Sequence, residues 1–370
     1  MKDVVIIGGG ISGLISSIIL SRQGISCTLV EKKNYPLHRV CGEYVSNEAV
    51  PFLQSMDLYP SQFNPPQISR FQLSSVSGRN KILPLGLGGF GISRFCLDHF
   101  LFVKARESGV TFLLDTTVEN VEFLGQSLRI STSNGQIESK IVLGAFGKRS
   151  NLDSKLERDF MKNRSPYVGV KYHIEFNHPL DVVALHNFPG GYCGLSSVED
   201  GVVNMCYLVH RTKLKEYRSV PEMEDKVLTT NPFLRDVRHS AKFLMEKPEV
   251  INEISFETKE PVVNHILMMG DAAGLITPLC GNGIAMAIHS AKIASRHVLR
   301  FLNSSESSRI KLESEYALEW TQTFGRRLQI GRQIQKLFGS ATGSNAAVNI
   351  ALFLKPVAME MIRNTHGKAF

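Results

Sequence analysis

Residues 3–24, DVVIIGGGISGLISSIILSRQG, constrain the fold more than any other stretch. Residues 3–7 supply the β-branched apolar run of a strand buried in a parallel sheet. Gly8, Gly10 and Gly13 then fit G-x-G-x-x-G. The first glycine permits the tight turn, the second lets backbone approach a pyrophosphate, and the third lets a helix pack on the strand. A helix from Ile11 to about Gln23 stops at Gly24. Its first-turn N–H groups, Ser12 among them, point at phosphates. The next strand, ISCTLVEKK, ends in Glu31, 23 residues after Gly8 and placed to accept from ribose hydroxyls. Strand, turn, helix, strand and acid together predict a βαβ opening that holds an adenine dinucleotide.

A second glycine-rich turn, GDAAGLITPLCGNG, occupies residues 270–283. It follows a short strand, HILMM, which carries Asp271 to the carboxyl edge of the sheet, where ligands of open α/β sheets bind. Pro278 stiffens the turn. Gly281 and Gly283 then allow a ligand to approach the start of a helix over 283–302. NAD on the first turn has no use for this second one. FAD does: its ribityl hydroxyls suit Asp271, and its flavin edge, negative when reduced, suits the helix end.

Between the turns, 92–109 read as a helix capped by Ser93, followed by strands at 110–114, 117–123, 127–132 and 136–143. Asn134-Gly135 marks a hairpin. In VGVKYHIEF, the residues Val168, Val170, Tyr172, Ile174 and Phe176 alternate with polar or small ones, as in a half-buried antiparallel strand. DVVALHNF and GVVNMCYLV read as further strands, followed by helices near 222–229 and 232–242. GLGGFG, residues 86–91, also matches G-x-G-x-x-G, but a proline precedes it and no helix starts inside it, so it reads as a mobile loop. The expected fold class is α/β with an α+β second domain: a Rossmann-like FAD-binding domain with a β-meander, an antiparallel-sheet substrate domain and C-terminal helices. The expected boundaries are 1–75, 90–154 and 258–302 for the FAD-binding domain, 76–89 and 155–257 for the substrate domain, and 303–370 for the helical region.

With these residues in view, the chain resembles the p-hydroxybenzoate hydroxylase-type FAD superfamily, and within it most closely the geranylgeranyl reductase family. The resemblance covers roughly residues 1–300. Its carriers are the opening βαβ unit, HRVCGEYVS, ISRFCLDHFL and GDAAGLITPLCGNGIAMAIHSA. It implies that Gly8, Gly10, Gly13, Glu31 and Lys32 hold the adenosine and pyrophosphate end of FAD. Arg39 and Arg94 would approach the pyrophosphate and ribityl region, and the backbone of Val118 the adenine. Asp271 would bind ribityl or pyrophosphate oxygens, with Gly281, Asn282 and Gly283 against the flavin. Cys41, followed by Gly42, would lie near the flavin as a proton donor or redox partner; Glu43 and Tyr192 are weaker candidates, read as a surface carboxylate and a packed aromatic. Two departures stand out. The superfamily's Asp-Gly is Phe146-Gly147 here, which bears on whether NAD(P)H is the transient electron donor. The family's Tyr-x-Trp-x-Phe-Pro stretch reads YCGLSS, so Tyr192 is kept while Gly194, Ser196 and Ser197 replace bulk and widen the pocket or make it more polar.

The function implied is an FAD-dependent oxidoreductase acting on an apolar small molecule, isoprenoid or polyketide-like, by C=C reduction. The alternatives are hydroxylation of an aromatic or polyketide substrate, and a non-enzymatic lipid-binding relative of the same fold. The cysteines, none in a CxxC pair, point to reduced thiols and a cytoplasmic location. No metal-ligand spacing and no nucleic-acid motif is present. Net charge is +8, and residues 292–370 carry 12 Lys/Arg against 5 Asp/Glu. A solvated helical face accounts for that excess, and peripheral membrane contact is the further expectation it raises.

Overall fold

The computed structural model describes residues 1–278, 281–304, 308–336, 338 and 340–370; Leu279 and Cys280 of the second glycine-rich turn lie outside the described residues. The chain opens with strand β1 (Lys2–Ile7), helix α1 (Ile11–Arg22) and β2 (Cys27–Val30). It continues through β3 (Tyr44–Ser46), α2 (Val50–Ser55), β4 (Gln67–Ser74), β5 (Asn80–Gly91) and α3 (Arg94–Glu107). Next come β6 (Thr111–Leu113), β7 (Val118–Phe123), β8 (Leu128–Thr132), β9 (Gly135–Gly144) and α4 (Asn151–Lys155). The following segment holds β10 (Tyr167–Glu175), β11 (Val182–Phe188), β12 (Gly191–Ser197), β13 (Val203–His210), α5 (Arg211–Lys215), α6 (Val220–Val227) and α7 (Pro232–Ser240). Short strands β14 (Lys242–Phe243), β15 (Glu249–Asn252), β16 (Val262–Val263) and β17 (Ile266–Met268) lead to α8 (Gly283–Asn303), α9 (Arg309–Gln335), α10 (Ala341–Phe353) and α11 (Lys355–Thr365).

Two sheets result. The first runs β16-β17-β9-β1-β2-β6, parallel from β17 to β6, with the β7–β8 meander attached to β9. Leu14, Ile15 and Ile18 of α1 are fully buried against it, each contributing roughly 1.5–3 kcal/mol of apolar burial. Ser93 caps α3 by accepting from Cys96 N–H at 3.1 Å, as expected.

The second sheet has the order β14-β10-β13-β12-β11-β4-β5-β3, with β15 on the far side of β10. Its β11–β4 pair is parallel and the remaining pairs are antiparallel. One face, built from Val170, Ile174, Met205 and Tyr207, is covered by Met223, Val227, Leu234 and Val237 of the α6–α7 region. The other face looks toward the first sheet.

Three expectations change here. First, β3 and β4 belong to the second sheet, so its territory begins at 44–46 and 67–74 rather than at 76. Second, GLGGFG is the end of β5 and not a loop. Its glycines serve packing: a Cβ on Gly89 would lie 2.5 Å from the Tyr44 ring, and one on Gly91 would collide with the Ser197 carbonyl oxygen. Third, β10 is buried on both faces, because its polar residues turn toward the first sheet and not toward water.

His186 of β11 shows how tightly β4 is held. Its Nδ1 lies 2.8 Å from Ser74 Oγ, and its ring stacks on Phe233 at 4.7 Å. Burial pushes its pKa down from 6.5 to about 3, so the folded state keeps it neutral. An unfolded chain takes up that proton below 6.5. Stability is therefore complete above that pH and is lost as pH falls toward 3. Urea midpoints measured across this range should fall steeply for the parent protein. His186→Asn should flatten that acid limb by a few kcal/mol; an unchanged slope would refute the assignment.

Candidate functional site

The first glycine turn is built by contact. Gly8 has φ +104°, and a Cβ there would collide with the Ala145 carbonyl; one on Gly13 would collide with Gly8 itself. Gly10 is the N-cap of α1 and supplies no side-chain cap, so the first-turn N–H groups of that helix, Ser12 included, are left for a ligand. Glu31 is buried, accepting from Gly9 N–H at 2.7 Å and Lys33 N–H at 3.2 Å. Tyr35 Oη donates to Gly9 carbonyl at 2.5 Å while its ring stacks on Phe102 at 4.4 Å.

Two arginines stand over this turn. Arg94 grips Asp98 with two bonds of 2.7 Å, and Arg39 bridges Asp98 at 3.2 Å and Glu31 at 3.3 Å. Asp98 is fully buried, so both guanidinium groups are fixed by one carboxylate. The one sequence signal for Asp98 was its place four residues after Arg94 on a helix, the i,i+4 spacing of an ion pair. Val118 begins β7, beside the Thr116 N–H that donates to Glu31 carbonyl at 3.1 Å. Lys32 is exposed and joins no ion pair among the described residues.

The second turn meets the first directly. A Cβ on Gly270, which has φ +55°, would lie 2.8 Å from Ser12 Oγ. Cations hold this turn from behind: Lys259 Nζ donates to Asp271 carbonyl at 2.8 Å, and Arg158, paired with Asp153 at 2.9 Å, donates to Ala272 carbonyl at 2.8 Å. Burial lowers the pKa of Lys259 to about 8. The Asp271 carboxylate makes no hydrogen bond among the described residues. Gly281, at φ +64°, packs on the Tyr44 ring. Asn282 starts α8 without a side-chain cap; its Nδ2 donates to Thr365 carbonyl at 3.1 Å, and its buried Oδ1 has no partner among the described residues. Gly283 is the first residue of α8. Two uncapped helix ends, a free carboxylate and an orphaned buried oxygen suit a long ligand with phosphates, hydroxyls and an electron-rich head.

Cys41 lies half-buried beyond these turns. Its Sγ accepts from Glu43 N–H at 3.5 Å, and its carbonyl accepts from Asn204 Nδ2 at 3.1 Å. A Cβ on Gly42 would meet nothing within 4 Å. The Cys27, Cys96 and Cys206 thiols are pushed up by burial to about 12, 11 and 12. Glu43 corrects the sequence expectation outright. It is fully buried at φ +55°, with Lys171 Nζ at 2.5 Å, His173 Nε2 at 2.7 Å and Arg94 N–H at 2.8 Å. Burial alone would raise its carboxyl, but His173 and Lys171 outweigh that and hold it below the usual range. Lys171 and His173 carried a faint sequence signal, as polar residues alternating within an apolar strand.

The same face of the second sheet continues through Cys206, Gly194 and Ser196. A Cβ on Gly194 would meet only strand carbonyls, at 3.5 and 3.9 Å, so no side chain stands over it. Ser196 is buried. The face then turns apolar at Leu73, Leu185, Tyr192 and Leu208, roofed by Leu275 and by Ala347 and Val348 of α10. Tyr192 is a packed aromatic, as expected: its Oη donates to Gln335 at 3.2 Å and its ring meets Phe338 edge-on at 5.8 Å.

Residues 1–61 match the model of the FAD binding domain family. The chain is an FAD-dependent oxidoreductase. It is similar to digeranylgeranylglycerophospholipid reductase of Methanosarcina acetivorans, with 23% identity over 98% of this chain and 90% of the relative. The oxidoreductase also superposes on a geranylgeranyl bacteriochlorophyll reductase-like protein from Thermoplasma acidophilum, with TM-score 0.79, 17% identity and coverage of 100% and 96%. The flavin-dependent halogenase CmlS gives TM-score 0.76 and 18% identity, over 92% of this chain and 65% of the halogenase. The chain is thus similar both to proteins named as geranylgeranyl-type reductases and to flavin-dependent halogenases.

Replacing Asp98 by Asn in the oxidoreductase removes the charge that aligns Arg39 and Arg94. FAD affinity should fall by roughly tenfold or more, read by flavin fluorescence titration. An unchanged dissociation constant would show that the two arginines do not serve the cofactor.

Proposed function

We propose that this enzyme reduces a carbon–carbon double bond in an apolar small molecule, isoprenoid or polyketide-like. FAD would lie along Gly8, Gly10, Ser12 and Gly13, with Glu31, Lys32 and Val118 at its adenosine end. Arg39 and Arg94 would stand at the pyrophosphate, Asp271 at the ribityl hydroxyls, and Gly281, Asn282 and Gly283 at the flavin. When bound, FAD supplies the hydride chemistry. The chain's own part is to shield that chemistry, orient the alkene and deliver a proton.

The observation that carries this reading is the buried Glu43–Lys171–His173 cluster beside Cys41. A hydride added to one alkene carbon requires a proton at the other. Here a half-buried thiol sits next to a buried acid–base group, at the border of an apolar sheet face. Lys171, with Glu43, holds the 41–43 segment against β10. Cys41 would hand its proton to the alkene, with the Glu43–His173 hydrogen bond directly behind the 41–43 segment. The apolar half of the face, Leu73, Leu185, Tyr192 and Leu208, would take the hydrocarbon. The reductase name of the Methanosarcina acetivorans relative denotes a lipid substrate, which agrees with that lining.

Phe146, with its backbone against Gly8 and its ring against Gly144, stands where the resembled superfamily keeps an acid, and it supports a donor other than NAD(P)H. Anaerobic reduction with NADH, NADPH and reduced ferredoxin, followed by addition of prenyl and polyene alkenes, tests both points. Alkene-dependent reoxidation without oxygen is expected. Cys41→Ser should slow it by about two orders of magnitude with FAD binding intact. A product that appears only in air and carries oxygen from O2 would replace reduction with hydroxylation.

A further inference from the structure

The last two helices combine a buried face and an exposed elbow in one unit. Ser340 caps α10, and Leu354 and Pro356 break the chain, so that α10 and α11 meet at 111°. One side of α10 is made of small residues, Ser344, Ala347, Val348 and Ala351, and covers the apolar half of the second sheet's face. At the break the side chains point outward: Phe353 is 75% exposed, Leu354 53% and Val357 47%, with Lys355 and Pro356 exposed between them. Three large apolar side chains in five residues of exposed chain are costly in water.

The charge around this elbow has one sign. Residues 341–359 contain Lys355 and no acid, and the neighbouring segment 71–97 contains Arg79, Lys81 and Arg94 but no acid. Arg79 donates to Asn349 of α10 at 3.0 Å, and Leu83 of β5 packs on Ala351 and Ala358, one on each side of the break. Arg79, Lys81 and Lys355 form no ion pair among the described residues. Arg94 is engaged with Asp98 and faces inward. The nearest acid on α11, Glu360, is paired with Arg363 at 2.6 Å.

No single described helix is long and apolar enough to cross a membrane, and a pair bent by 111° presents its corner and not its length. We infer that the α10–α11 elbow docks on an anionic lipid bilayer, with Phe353, Leu354 and Val357 entering the acyl boundary and Arg79, Lys81 and Lys355 facing the headgroups. An apolar wedge with a basic rim provides the two signals that stable interfacial binding needs. The inner side of α10 roofs the apolar half of the candidate site, so docking would open that half toward the membrane. This last consequence rests on the proposed alkene reduction; the docking itself does not.

The test is sedimentation of the FAD-loaded protein with phosphatidylcholine vesicles, with and without phosphatidylglycerol, at low and high salt. Binding that requires phosphatidylglycerol and weakens with salt is expected. Phe353→Ser with Leu354→Ser should reduce it by roughly tenfold or more, and Lys355→Gln by about fivefold; retained flavin absorbance shows that each variant is folded. A wild-type protein left in the supernatant, binding indifferent to anionic lipid, or binding undiminished in the double variant overturns the proposal. Neither substrate nor reductant is present, so a negative result here leaves alkene reduction standing, and failure of alkene reduction leaves vesicle binding unaffected.

Discussion

One buried carboxylate joins the two sheets. Glu43 comes from the segment that links β2 of the first sheet to β3 of the second, while Lys171 and His173 come from β10, beside the β14–β15 edge of the second. A charge in such a place is tolerable only when its partners are complete, and removing one partner leaves an unpaired ion in a low-dielectric interior. Glu43 also holds φ +55°, a left-handed conformation that a non-glycine residue keeps only when its surroundings impose it. The same carboxylate accepts from Arg94 N–H at the start of α3. The chain of support runs on from α3 through Arg94 to Asp98 and Arg39, and so to the corner beside the first glycine turn. The first glycine turn and the sheet-facing cluster are therefore not separate devices.

Charge elsewhere follows a similar logic. The helix ends of α1 and α8 present positive potential without capping side chains, and both begin at glycine-rich turns that touch at Ser12 and Gly270. Behind the second turn, Lys259 and Arg158 bind its carbonyls and leave the Asp271 carboxylate unengaged. Carbonyl-facing cations thus hold backbone in place while the acid and the N–H groups stay free on the opposite side.

The glycine turns were legible because they answer to backbone geometry. A residue that must sit at positive φ, or against a carbonyl, leaves a glycine in the sequence, and strand and helix periodicity on each side supply the context. The β-meander and Ser93 were legible for the same local reason. Asp98 and the Glu43 cluster were not, because their meaning lies in pairings that span up to 130 residues. A carboxylate in CGEYVS looks like a surface acid until β10 is laid beside it. The edge of the second sheet was misplaced because β4 pairs in parallel with β11, more than 100 residues later, and GLGGFG imitates a phosphate loop while using its glycines to let strands approach.

The second sheet's inner face has a polarity gradient, and its direction is set by what covers each part. Near β10 the cover is the Cys41–Glu43 segment, which brings backbone N–H groups and a carboxylate, so Lys171, His173 and Asn204 can be buried without orphaned charge. Near β4 and β11 the cover is α10, which carries no charged residue at all, and the side chains that meet its inner side there, Leu73 and Leu185, are apolar. On the proposed alkene reduction, a substrate lying across this face would be sorted by polarity, its hydrocarbon under α10 and its reacting end beside the thiol. The small residues of α10 matter in that account. Alanine and serine lose little packing when a helix shifts, so the apolar half is roofed by a helix with a small-residue inner side, while the ionic half is closed by a segment that cannot move without unpairing the buried Glu43–Lys171 ion pair.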